Sequence, residues 1–169
     1  MSTTTNNRDA KGRVSVPSDF RAVIAAQNAA LIAAQPESVR LAGIEPFDGI
    51  IVRPSFDGQC LEGGGEVLFN AYRASINAID YFDPKRDAME NALFGESRRL
   101  SFDSGGRVSI PQDLADNFGF NGRITFVGLG DRFEIWAPDA HEARVANMRK
   151  LVAENRHLLK PINPMGGTS

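Results

Sequence analysis

Twelve residues near the start of the chain, DAKGRVSVPSDF (9–20), return as DSGGRVSIPQDL at 103–114. Seven of the twelve positions are identical, and Val16/Ile110 and Phe20/Leu114 exchange one apolar side chain for another. Two copies so far apart are not a solenoid, which needs several closely spaced repeats. The chain therefore builds one small unit twice.

The likeness continues past the motif. RITFVGLGDRFEIW (123–136) has two apolar runs around a Gly-Leu-Gly-Asp turn, and GIIVRPSFDGQCLE (49–62) has the same plan around Asp57-Gly58. Both read as β-hairpins. Each unit is thus strand, turn, strand, short helix, hairpin. The first unit, 1–65, carries a helical insertion over 18–35, where Phe20, Val23, Ile24, Leu31 and Ile32 fall near helical spacing ahead of Pro36. A helical linker spans 66–96. Val67, Leu68, Ala71, Tyr72, Ile76 and Ile79 form one apolar face. Asp83-Pro84 supplies a cap and a first-turn proline for its second helix, which Gly95 ends. The second unit covers 97–138. A last helix is expected over 139–160, with Asp139 as cap and Glu142 as its capping-box partner, and a disordered tail over 161–169.

The repeated segment dictates a local geometry. Gly12 and Gly106 stand where the chain reverses, a position that often requires positive φ. Asp9 and Asp103, three residues earlier, can accept hydrogen bonds from the amides of that turn, so both are expected to structure it. Side chains then alternate along the strand. Val14 and Val16, like Val108 and Ile110, share the inner face, and Arg13 and Arg107 lie opposite beside Ser15 and Ser109. Pro17 and Pro111 close the strand and open a helix. Each unit offers one arginine from a stiff turn, where its alternative use is to pair with its own aspartate.

Composition narrows the function. Forty-two per cent apolar residues support a real core, and no apolar run approaches a membrane span. The polar N-terminus lacks the apolar stretch of a signal peptide, and a lone Cys60 reads as a packed side chain in a reducing, cytoplasmic setting. The net charge of −2 counts mildly against nucleic acid, yet Arg8, Lys11, Arg13 and Arg21 make the first motif locally basic.

Asp-x-x-Gly-Arg-Val-x-apolar-Pro followed by a helix resembles the swapped-hairpin DNA-binding proteins of the AbrB type. Two such units in one chain, DAKGRVSVP in the first and VGLGDRFEIW after the second, resemble the MraZ family, over roughly residues 9–140. The resemblance implies a mixed α/β, mainly β fold: a pseudo-twofold pair of AbrB-like swapped-hairpin units with helical linkers. It implies a nucleoid-associated transcriptional regulator that binds double-stranded DNA at repeated boxes in the promoter of its own division and cell-wall operon, assembled as a ring-shaped homo-oligomer. Carried over, the family's DNA-contacting Asp-x-x-x-Arg falls on Asp9 to Arg13 and on Asp103 to Arg107. Arg8 and Lys11 join Arg13 and Arg107 as candidate DNA contacts. Two departures stand out. The stretch before the first motif, TTTNNRD, has no apolar residue, which predicts a weak opening strand, and the first hairpin ends in LEGGGEV, which predicts thin packing there.

Rival readings are an enzyme and a binding protein without an operator. Gly128-Leu-Gly130 lacks the third glycine of a dinucleotide loop, since Phe133 stands there and a strand follows. His141 and His157 stand sixteen residues apart with no second metal-ligating side chain at i+4, and Asp57, Glu62 and Glu66 have no nucleophile around them, so no enzyme, metal, cofactor or small-molecule substrate is expected. The alternative that keeps the fold is an antitoxin-like protein or ring scaffold that binds no operator.

Overall fold

A computed structural model describes residues 3–43 and 45–158, so the expected tail at 161–169 lies outside the described residues. The fold is mixed α/β, mainly antiparallel sheet, with eight strands and six α-helices among those residues. In the first copy, β1 (Thr3–Asn7) and β2 (Arg13–Ser15) flank the motif turn, then come α1 (Ser18–Ala34), α2 (Glu37–Leu41) and the hairpin β3 (Gly49–Pro54) and β4 (Leu61–Gly64). Helices α3 (Glu66–Asn77) and α4 (Pro84–Glu90) follow, and α4 runs on into a π-helical turn, Asn91–Gly95. The second copy gives β5 (Arg98–Ser101), β6 (Arg107–Ser109), α5 (Gln112–Phe118) and the hairpin β7 (Arg123–Gly128) and β8 (Arg132–Trp136), before α6 (Pro138–Asn155).

Local chemistry accounts for the punctuation. Pro17 and Pro111 hold nearly the same extended cap conformation (φ −52°, ψ 141° and φ −54°, ψ 147°), so strand passes into helix identically in both copies. Asp83 caps α4 by accepting from the Lys85 amide, with Pro84 in the first turn. Gly119 ends α5 in the left-handed conformation (φ 67°).

The copies do not fold side by side. One six-stranded sheet runs β1-β7-β8-β4-β3-β5, so each copy lends its opening strand to the other copy's hairpin. The order reads the same from either edge once the copies are exchanged. In the centre, Glu62 on β4 opposes Glu134 on β8, which holds the same place in its own hairpin. A second, two-stranded ribbon pairs β2 with β6, and here Val14 opposes its own counterpart Val108. Both registers are those of a pseudo-twofold.

One apolar core serves both copies. Val14, Val16, Val108 and Ile110 from the ribbon pack with Ile50, Val52, Ile124, Phe126, Phe133 and Ile135 from the sheet and with Phe20 and Leu114 from the helices. Phe20 stacks on Phe133 at 5.1 Å and meets Phe126 edge-on at 6.4 Å, tying α1 of the first copy to the hairpin of the second.

Several expectations need correction. The apolar-free opening segment forms a full strand, β1, paired with β7 from Thr3↔Val127 to Asn7↔Arg123. It can be polar because it is an edge strand, where threonine and asparagine blunt further strand pairing. The glycines of LEGGGEV are packed rather than loose: a β-carbon on Gly63 would lie 2.6 Å from the Phe133 ring, and one on Gly64 would lie 2.5 Å from Leu68. On α3 the buried face is Leu68, Phe69 and Ile76, with Ala71 exposed. Of the insertion's apolar residues only Phe20 and Ile24 are buried, because the helix outruns the core; Val23 and Ile32 are exposed.

The chain divides into two compact units, the first ending at Pro138 and the second beginning at Asp139. Helix α6 is already under way at Pro138, so Asp139 sits inside its first turn instead of capping it. A single 3-10 turn, Arg156–Leu158, follows. No helix among the described residues is long and apolar enough to cross a membrane.

Candidate nucleic-acid interface

Each motif closes into the same turn. The Asp9 amide donates to the Arg13 carbonyl (2.8 Å) and the Gly12 amide to the Asp9 carbonyl (2.9 Å); the Asp103 amide donates to Arg107 (2.8 Å) and Gly106 to Asp103 (2.9 Å). Gly12 (φ 79°) and Gly106 (φ 69°) take the left-handed conformation that makes these closures possible. One carboxylate oxygen then threads each turn. Asp9 Oδ1 accepts from the amides of Lys11 (3.0 Å) and Arg13 (2.9 Å), and Asp103 Oδ1 from those of Gly105 (2.9 Å) and Arg107 (3.0 Å).

The other carboxylate oxygen holds the arginine. Arg13 Nε donates to Asp9 Oδ2 at 2.8 Å, and Arg107 Nε donates to Asp103 Oδ2 at the same distance. The pairing aims the guanidinium without hiding it, since Arg13 keeps 31% and Arg107 keeps 38% of its side-chain surface. Both carboxyls are held below the ordinary aspartate range. For Asp9 the Arg13 side chain is the largest cause, and for Asp103 it is the Arg107 backbone amide.

The ribbon brings the two arginines onto one surface. Arg13 opposes Ser109 and Ser15 opposes Arg107 across β2 and β6, so all four side chains share a face while Val14 and Val108 point into the core. Ser15 and Ser109 are exposed, and Lys11 is exposed at the tip of the first turn. Arg8 lies apart from that face. Its Nη2 reaches the second copy, donating to the Ile110 carbonyl (3.3 Å) and to Gln112 Oε1 (3.2 Å), and its Nε is buried without a hydrogen-bond partner among the described residues.

In the sequence Arg21 figures only as one of the basic residues around the first motif. Its Nε donates to the Val16 carbonyl (3.1 Å), and its guanidinium covers Gly106 so closely that a β-carbon there would fall 2.5 Å from Nη1. Comparing the copies hides it, because Ala115 occupies the matching position of the second. Arg21 also lines a groove of about 430 Å³ with Ser18, Asp48, Asp103 and Ser104.

The rival sites have structural roles. Gly130 (φ 99°) turns the β7–β8 hairpin, which the Leu129 amide closes onto the Arg132 carbonyl at 2.9 Å. Glu62 accepts from buried Arg53 (2.7 Å) and from the Tyr72 hydroxyl (2.6 Å). Burial pushes the Cys60 thiol up to about 12, so it stays protonated. Among the described residues no three His, Cys, Asp or Glu side chains cluster to hold a metal.

Comparison with known proteins bears on the family of the chain. The family model described as "MraZ protein, putative antitoxin-like" matches residues 93–158, a span that contains the second turn and its hairpin. Over 154 residues the chain is 38% identical to the transcriptional regulator MraZ of Phenylobacterium zucineum, covering 91% of this chain and 84% of that one. It is 36% identical over 160 residues to the transcriptional regulator MraZ of Caulobacter vibrioides, with 95% and 90% covered. The Rickettsia bellii protein of the same name is 38% identical over 158 residues, with 94% and 93% covered. Identity at this level across nearly the whole length of both partners means that the chain belongs to the MraZ family.

Proposed function

We propose that this protein regulates transcription by binding double-stranded DNA through the β2–β6 ribbon, with Arg13 and Arg107 reading bases. The observation that carries this reading is the shared ribbon face, where two aspartate-buttressed arginines stand diagonally with Ser15 and Ser109 between them. The major groove admits a two-stranded ribbon, and the planar guanidinium can bond guanine O6 and N7 together. Lys11 cannot make that two-pronged contact and serves the phosphates instead. The naming of its relatives as transcriptional regulators supports the same reading.

The target is the promoter of the protein's own division and cell-wall operon, with repeated boxes, as the family resemblance implies. One bidentate contact discriminates by ~1–3 kcal/mol, too little for a unique site. A ring of copies engaging several boxes raises affinity through effective concentration and aligns many basic turns, offsetting the acidic net charge. This assignment makes the protein a regulator and not an enzyme, and puts it on the chromosome.

A gel shift on the duplex upstream of the gene, run across salt concentrations, tests the reading. Arg13→Ala and Arg107→Ala are each expected to cut the preference for that duplex over a shuffled one by roughly tenfold, one good base contact. Variants that fold and still discriminate like the parent would refute it. Equal affinity of the parent for both duplexes would favour the operator-free scaffold.

A further inference from the structure

The ribbon ends in two junctions between the copies. At one, the Val16 amide donates to the Gly106 carbonyl (3.2 Å); at the other, the Ile110 amide donates to the Gly12 carbonyl (3.0 Å). Each glycine that shapes a turn is therefore tied to the strand end of the opposite copy. Both junctions also hold a guanidinium. Arg21 bonds the Val16 carbonyl and covers Gly106, while Arg8 bonds the Ile110 carbonyl and lies over Gly12, with Nη2 3.0 Å from where a β-carbon would stand. The two arginines do the same work from unrelated places. Arg8 comes from the end of β1, where the second copy has Phe102, and Arg21 comes from α1, where the second copy has Ala115.

We infer that Arg8 and Arg21 are positioning residues that lock the two arginine-bearing turns to each other, one at each ribbon junction. The repeat does not encode this symmetry; the two halves reach it by different routes. An arginine suits the task because its fork can donate to a carbonyl while its flat face lies against the bare Cα of a glycine, which a lysine ammonium cannot do. A charged donor also strengthens the bond to the carbonyl. Both side chains are half-buried, unlike the exposed Lys11. Locking matters because Arg13 and Arg107 sit on opposite strands of a ribbon only three residues long. Slack at either junction changes their separation, and with it the match to two base pairs at once. The DNA arm of the test rests on the reading proposed above; the locking itself does not.

The test compares Arg8→Met, Arg21→Met, Arg8→Lys and Arg21→Lys in the full chain. Amide hydrogen exchange reads the junctions without DNA. Arg21→Met is expected to speed exchange at Val16, Gly106 and Arg107 while sparing Gly12, and Arg8→Met to speed it at Ile110, Gly12 and Arg13 while sparing Gly106. Binding to the upstream duplex should lose about tenfold in preference over a shuffled duplex, with the slope of log affinity against log salt unchanged, since no phosphate contact is removed. Lysine should restore neither quantity. Should a methionine variant fail to fold, the lysine variants carry the same comparison. Unchanged exchange overturns the proposal, and so does a salt slope lower by about one that lysine restores, the mark of a phosphate contact. If the parent protein itself does not distinguish the duplexes, the DNA reading fails, and exchange alone decides the locking.

Discussion

The turns at Asp9–Arg13 and Asp103–Arg107 share a backbone to within 0.1 Å in their closing hydrogen bonds, yet they sit in different surroundings. The first carries Ala10 and Lys11 at its tip and is covered by Arg8; the second carries Ser104 and Gly105 and is covered by Arg21. Even the aspartates differ in what holds their charge, the Arg13 side chain foremost for Asp9 and the Arg107 amide foremost for Asp103. The repeat thus preserves what a turn needs from its own sequence neighbours. Supports delivered from a distance are free to change hands.

The largest effect tests whether the turns depend on one body. Phe126 is fully buried and touches Phe20 and Phe133 from both copies, so Phe126→Ala should cost about 3–5 kcal/mol in denaturant unfolding. Both turns should lose amide protection together in a single transition. Survival of one turn alone would show that the copies are separable.

A smaller change should separate them. Alanine at either turn glycine meets a positive φ, at a cost of about 1–2 kcal/mol. At Gly106 the new methyl must also push aside the Arg21 guanidinium, 2.5 Å away, which bonds the Val16 carbonyl, whereas at Gly12 it meets Arg8 Nη2 at 3.0 Å and the Ile110 carbonyl at 3.3 Å. Gly106→Ala should therefore unfold at lower denaturant than Gly12→Ala. The reverse order would remove the tighter grip assigned to the second turn.

The smallest effect lies in titration. Carboxyls held low when folded add stability that is full above the ordinary aspartate pKa and disappears as pH falls through the lowered values. Turn amides should stay protected near neutrality and lose protection only in acid, below about pH 4. NMR titration of Asp9 in Arg13→Ala should show a larger rise than that of Asp103 in Arg107→Ala. Equal rises would erase the distinction between the two aspartates.

What was legible beforehand was local. Asp9, Gly12, Pro17 and their counterparts announce turn and helix start because each acts on backbone within a few residues. The alternation Arg13-Val14-Ser15 told which side chain faces out for the same reason. Contacts between copies were not legible. TTTNN looked too polar for a strand because its partner, β7, lies more than a hundred residues away and supplies the pairing. Gly63 looked empty because the Phe133 ring that fills its space belongs to the other hairpin.

Two arginine-bearing turns follow from the sequence alone, since the hydrogen bonds that close them run between near neighbours in the chain. Their meeting on one ribbon face, pointing the same way, comes from the folded chain. That arrangement depends on backbone pairing and guanidinium contacts between residues far apart in the chain, and no local pattern records such pairings.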